Sequence, residues 1–143
     1  MPPIPYRAAS VGKRVRPWLW IFLDGGAHHV PVMALVDTGS DASSFPMTLG
    51  TAAGLTYNAD LEPQIGQGVG APFEYWDTTN TLTVQTEIGP VTFAGAVVHR
   101  GGVEYPILGR ADFFNAFIVT FDERAGVAGQ MVFEAYMKPE RRN

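Results

Sequence analysis

The stretch Ala34-Leu35-Val36-Asp37-Thr38-Gly39-Ser40 limits the possible folds of this chain more than any other. It reads as an apolar strand that runs directly into a carboxylate, a hydroxyl and a glycine. Apolar strands belong in an interior, and an aspartate at the end of one is costly unless it is paired, hydrogen-bonded or used. Gly39 permits a sharp turn that brings backbone amides close to that carboxylate. Thr38 and Ser40 add hydroxyls that can donate to it or to its neighbours. The element occurs once: the chain holds no second Asp-Thr-Gly or Asp-Ser-Gly and no internal repeat.

The rest of the chain is punctuated as short strands. Sixteen glycines and eleven prolines in 143 residues favour many turns over long helices. Residues 1–15 read as an irregular arm, residues 16–136 as one domain and residues 137–143 as a charged tail. Residues 16–23 are rich in aromatic and branched side chains and form a strand. Asp24-Gly25-Gly26 turns it, and residues 28–36 return. Pro31 places that stretch at a sheet edge or a bulge. Ser44-Phe45-Pro46 is a brief strand, and residues 47–54 supply one or two helical turns ended by Gly54.

Residues 64–75 carry Gly66, Gly68 and Gly70 around Val69 and read as a mobile, glycine-tipped hairpin. Residues 79–88 and 91–99 pair about a turn at Gly89-Pro90. Residues 105–108 form a strand ended by Gly109, residues 110–115 a short helix, and residues 117–121 and 131–133 a last hairpin.

A hydrophobic share of 46% against 17% charged residues argues against disorder and for a compact globular fold. The net charge of −4 gives no support for nucleic-acid binding. The basic residues that cluster, Lys13-Arg14-Val15-Arg16 and Arg141-Arg142, lie near the two ends. With no cysteine, disulfides and thiol chemistry are excluded. No apolar run approaches the roughly 18 residues of a membrane span. The first residues, Met1-Pro2-Pro3-Ile4-Pro5, lack the apolar core of a signal peptide, so a cytoplasmic location is the expectation.

Three ordered elements carry a family resemblance: strand, Gly-Gly turn and strand ending in Val36-Asp37-Thr38-Gly39-Ser40-Asp41; the hairpin Gly66-Gln67-Gly68-Val69-Gly70; and Ile107-Leu108-Gly109-Arg110-Ala111-Asp112-Phe113-Phe114. In that order, over residues 16–121, the chain resembles the single-domain, retroviral-type (retropepsin-like) aspartic proteases. The resemblance implies an all-β closed barrel with a glycine-rich flap hairpin and one short helix near the C-terminal third. It also implies an aspartic endopeptidase with no metal and no organic cofactor.

In such an enzyme two aspartates share one proton around a water, because like charges about 3 Å apart cannot both ionise. With only Asp37 present, the partner carboxylate comes from a second copy, so a C2 homodimer acting on a peptide or protein is implied. Asp37, Thr38 and Gly39 are then the catalytic set: Thr38 bonds across the dyad, and Gly39 offers its carbonyl to substrate. Ser40, Asp41, Gly68, Val69, Gly70, Ile107 and Leu108 are the substrate-binding set, with Val69 closing over the peptide. Arg110 braces Asp41 as structural support. A Ser40 hydroxyl donating to the ionised Asp37 would lower the apparent pKa of the pair and give an acidic optimum.

Ala71 stands where the family often carries another glycine, and the N-terminal arm is longer than in the compact viral enzymes. The rival reading is a retropepsin-fold module, catalytically silent or latent, that grips peptides or dimerises without cutting. Other features have plainer readings. His28 and His29 point to opposite faces of a strand and lack a third ligand. The glycine-rich segment is no phosphate loop, since no lysine follows it. Trp18, Trp20 and Trp76 serve packing, and Arg124 faces water.

Overall fold

The computed structural model describes residues 3–25, 28–68, 71–124 and 132–138. The protein is all-β. In chain order the strands are β1 (Ile4–Pro5), β2 (Arg7–Ala8), β3 (Val15–Arg16), β4 (Trp18–Gly25), β5 (His28–Val36) and β6 (Ser44–Pro46). The helix α1 (Met47–Ala52) follows, then β7 (Gln64–Gln67), β8 (Pro72–Asp77), β9 (Leu82–Thr86), β10 (Gly89–Phe93), β11 (Val97–Arg100) and β12 (Ile107–Leu108). A helical turn at Arg110–Phe114 leads to β13 (Phe117–Asp122) and β14 (Val132–Met137). Among the described residues no helix is long and apolar enough to cross a membrane.

Nine strands form one sheet in the order β10-β9-β4-β5-β12-β6-β11-β8-β7. The closed ring expected from the sequence is not formed, since among the described residues no pairing joins the edge strands β10 and β7. The long β4–β5 hairpin is its spine, with Trp18 opposite Leu35 and Ile21 opposite Val32. Alternation buries Leu19, Ile21 and Leu23 on one face of β4. Pro31 sits opposite Phe22 in unbroken register, so there is no bulge. Among the described residues the second flank of β5 is paired only at Leu35 and Val36, by parallel β12, and Pro31 lies beyond its reach. The missing N–H is therefore tolerated in a strand that is otherwise central.

A three-stranded sheet, β1-β14-β13, closes the other side, and one core joins both sheets. Phe45 meets Phe93 edge-on at 5.1 Å, and Phe113 stacks at a tilt on Phe117 at 5.2 Å. The arm expected to be irregular is partly built in. Ile4 and Tyr6 are buried, β1 pairs with β14, and Arg7 makes a bidentate pair with Glu87 at 2.8 Å.

Three local expectations change. The β9–β10 hairpin turns at Glu87 and Ile88, and Gly89-Pro90 begins the return strand. Residues 91–99 are two strands, broken at residues 94–96. The expected helix at residues 110–115 is a kinked turn in which Ala111 is extended and Asp112 has φ 67° and ψ −60°. Phe114 N–H donates to the Gly109 carbonyl at 3.2 Å, a five-residue closure typical of a π-bulge.

Candidate active site

Asp37 leaves the sheet where β5 lies against β12. Its amide donates to the Leu108 carbonyl at 3.0 Å, two residues after Leu35 N–H donates to the Pro106 carbonyl at 2.9 Å. Val36 and Leu108 are buried beneath it, and Ile107 is half-buried between Leu35 and Ser44. The carboxylate therefore stands at the rim of the core, partly exposed. Gly39 N–H donates to its Oδ1 at 2.8 Å, and Ser40 N–H closes the turn on the Asp37 carbonyl at 3.3 Å. A Cβ at Gly39 would meet Oδ1 at 3.1 Å, so glycine gives this carboxylate its amide donor without crowding it. Oδ2 carries no hydrogen bond among the described residues.

The loop after Asp37 is clamped by the segment after β12. Arg110 N–H donates to the Ser40 carbonyl at 2.8 Å, and Ala111 N–H to the Asp41 carbonyl at 2.9 Å. Gly109 passes so close that a Cβ would sit 2.3 Å from the Ala42 carbonyl oxygen and 2.7 Å from that of Ser40. Both obstacles are backbone, so only glycine fits there.

Ser43, fully buried, joins the two segments. Its Oγ accepts from Gly109 N–H at 3.0 Å and donates to the Ala111 carbonyl at 3.2 Å. The sequence reading missed it; the available signal was a serine between Ala42 and an apolar strand, where a hydroxyl must find partners. Asp112 was also missed. Its Oδ2 accepts from the Ala94 and Gly95 amides at 3.2 and 3.0 Å.

Two expected contacts are replaced. The Ser40 hydroxyl donates to the Ala42 carbonyl at 2.7 Å and not to Asp37, so the acidic optimum argued from it loses its basis. Arg110 does not pair with Asp41 among the described residues; its Nε donates to the Thr38 carbonyl at 2.9 Å. Arg110 still braces the loop, through Thr38 and its own amide. Thr38, Gly39 and Asp41 are exposed, and Ser40 is half-buried.

The structure thus brings Asp37, Thr38, Gly39, Ser40, Asp41, Ile107, Leu108 and Arg110 into one cluster. Gly68 lies elsewhere, on the β7–β8 hairpin at the sheet edge, and Val69 and Gly70 fall outside the described residues. The hairpin glycines have a packing role: a Cβ at Gly66 would sit 2.4 Å from Cζ of Phe73, and one at Gly68 3.3 Å from the same ring.

Two clefts, of about 290 and 520 Å³, flank Arg100 and Gly101, and neither is lined by residues 37–41. The larger includes His99, which is buried and held at both nitrogens. The Val103 carbonyl can only accept, so Nε2 carries the proton and donates to it at 2.7 Å. Nδ1 of the neutral ring then accepts from the Ser44 hydroxyl. Burial pushes the imidazole pKa below its ordinary value of 6.5, outweighing the Val103 hydrogen bond.

Chemically, this is a strand-ending carboxylate at the base of a stiffened loop, with Oδ1 held by the Gly39 amide and Oδ2 without a hydrogen bond among the described residues. No protein-family model matches the chain, and no curated protein matches its sequence.

Proposed function

We propose that the chain is an aspartic endopeptidase of the retropepsin type, working as a C2 homodimer with its active site on the symmetry axis. The nine-stranded sheet is read as an open variant of the retropepsin-like fold, with the β7–β8 hairpin in the place of its flap. The observation that carries this reading is the Asp37 loop. Its backbone is tied to Leu108, Arg110 and Ala111, and Gly39 holds Oδ1 while Oδ2 stays open. A structural turn would not need its carboxylate left half free at the edge of the core.

In the dimer the two Asp37 carboxyls share one proton and hold a water. The ionised one takes a proton from the water as its oxygen bonds to the peptide carbonyl carbon. The protonated one donates to the carbonyl oxygen, giving a neutral gem-diol. Collapse then returns a gem-diol proton to one carboxylate, protonates the amine nitrogen from the other, and breaks the C–N bond. One carboxylate cannot serve as acid and base at once, so the second copy is a chemical requirement. Braced loops matter because the two oxygens must stay in register through both steps.

The test is to incubate wild type and Asp37→Asn with a mixed peptide library over a range of pH. Wild type is expected to cut and the variant to lose activity by at least about a thousandfold. Cleavage by the variant at the wild-type rate would overturn the assignment. Sedimentation of active samples should show a dimer, and activity should rise more steeply than linearly with dilute enzyme. Peptide binding without cleavage would favour a silent binding module.

A further inference from the structure

We propose that Asp112 is a positioning residue for Asp37, acting through the segment at residues 109–111. The activity part of this inference rests on the endopeptidase reading; the geometry does not.

Asp112 is the one non-glycine residue with positive φ among the described residues, at φ 67° and ψ −60°. That region belongs to the strained γ-turn and is seldom occupied by a residue with a Cβ. Such a conformation persists only where its surroundings over-determine it, and such residues gather at functional sites. Here the surroundings are visible. Oδ2 accepts from both Ala94 and Gly95, the two amides exposed where the strand after β10 breaks. Phe113, next in the chain, is fully buried, and Phe114 N–H closes the turn on Gly109.

The strained residue fixes what lies just before it. With Asp112 anchored, the Arg110 and Ala111 amides face the Ser40 and Asp41 carbonyls, the Ala111 carbonyl meets Ser43 Oγ, and Arg110 Nε reaches Thr38. Every residue from Thr38 to Ser43 except Gly39 and Ala42 is held from this segment. Asp37 hangs between that clamp and its own bond to Leu108. Asp112 is the point where the clamp is fastened to a third element, the β10–β11 connection. Without that fastening the segment has no reason to keep a high-energy turn.

The test uses three variants. Asp112→Asn keeps a carbonyl acceptor, and asparagine tolerates positive φ. Asp112→Gly relieves the strain but removes the acceptor. Asp112→Ala removes the acceptor and keeps the strain. Amide exchange is read at Asp37, Arg110 and Ala111, with Leu19 and Ile21 as internal references, beside kcat and KM on a cleaved peptide.

In Asp112→Gly, exchange at the three site amides should quicken by about tenfold while the references hold. Its kcat should fall by about tenfold or more with KM changed less than about twofold. Asp112→Ala should show the same pattern in whatever fraction folds. Asp112→Asn should restore both readouts. Unchanged protection and kcat in Asp112→Gly would overturn the proposal. So would a loss of kcat that only follows the folded fraction, or an Asp112→Asn variant as impaired as the glycine one. If wild type cleaves no peptide, the endopeptidase reading fails, and the exchange pattern alone decides the positioning role.

Discussion

Gly109 and His99 show how single residues set the terms of this fold. At Gly109 the neighbours are the Ala42 and Ser40 carbonyl oxygens, which cannot swing aside as a side chain would. Gly109→Ala is expected to destabilise the protein by about 3 kcal/mol, read as a lowered urea midpoint, because the backbone on both sides must separate. At His99 the effect is one of charge. The folded ring has its pKa held below 6.5 by burial, so between that value and 6.5 the unfolded chain binds more protons than the folded one. Stability is then complete above pH 6.5 and declines as pH falls from 6.5 toward the folded value. Denaturant midpoints from pH 7.5 to 5 should drop in wild type and drop less in His99→Gln, which retains a donor for Val103. Equal slopes would contradict this. Asp37 was legible because a carboxylate ending an apolar strand demands an explanation. Ser43 and Asp112 were not, because their partners lie about 70 and 18 residues away in sequence, and no local pattern announces them.

Elements were more legible than their boundaries. The β4–β5 hairpin, β12 and the β13–β14 pair follow from alternation and branched residues. The stretch after β10 did not, because its break follows from the distant Asp112 carboxylate, which takes the Ala94 and Gly95 amides. The β7–β8 hairpin is the sharpest lesson. Its glycines read as a source of mobility, yet Gly66 lies opposite Phe73 in register, and the ring occupies the space a side chain would need. Gly102 gives the same ring clearance, since a Cβ there would lie 3.2 Å from Cβ of Phe73. The glycines form a bed for one aromatic side chain that also meets His99 edge-on at 6.0 Å. Gly66→Ala should therefore cost about 1–3 kcal/mol by overpacking, and most of that cost should vanish in a Phe73→Ala background. Chemical denaturation of the four proteins gives the coupling. An additive cycle would mean that the glycine serves backbone freedom instead.

For the whole molecule the decisive question is what the N-terminal arm does. An arm that merely shields an active site should be dispensable, and its removal should raise activity. The structure argues otherwise from burial. Ile4 is 6% exposed and Tyr6 8%, and both belong to the same core as Phe117 and Phe133. Tyr6 meets Phe133 at 6.2 Å and donates its hydroxyl to Glu123, and burial together with that carboxylate raises its pKa to about 12. Arg7 grips Glu87, whose Oε1 also accepts from Trp20 N–H at 2.9 Å on β4, so the arm ties both sheets together. Burying two such side chains is worth about 1.5–3 kcal/mol each. Removing residues 1–8 should thus cost about 3–6 kcal/mol, a large share of the 5–15 typical of a whole domain. Shortened protein should melt earlier, and its activity should fall in step with its folded fraction. A truncated chain that stayed as stable as wild type while cutting faster would show that the arm is a cover and not a clasp.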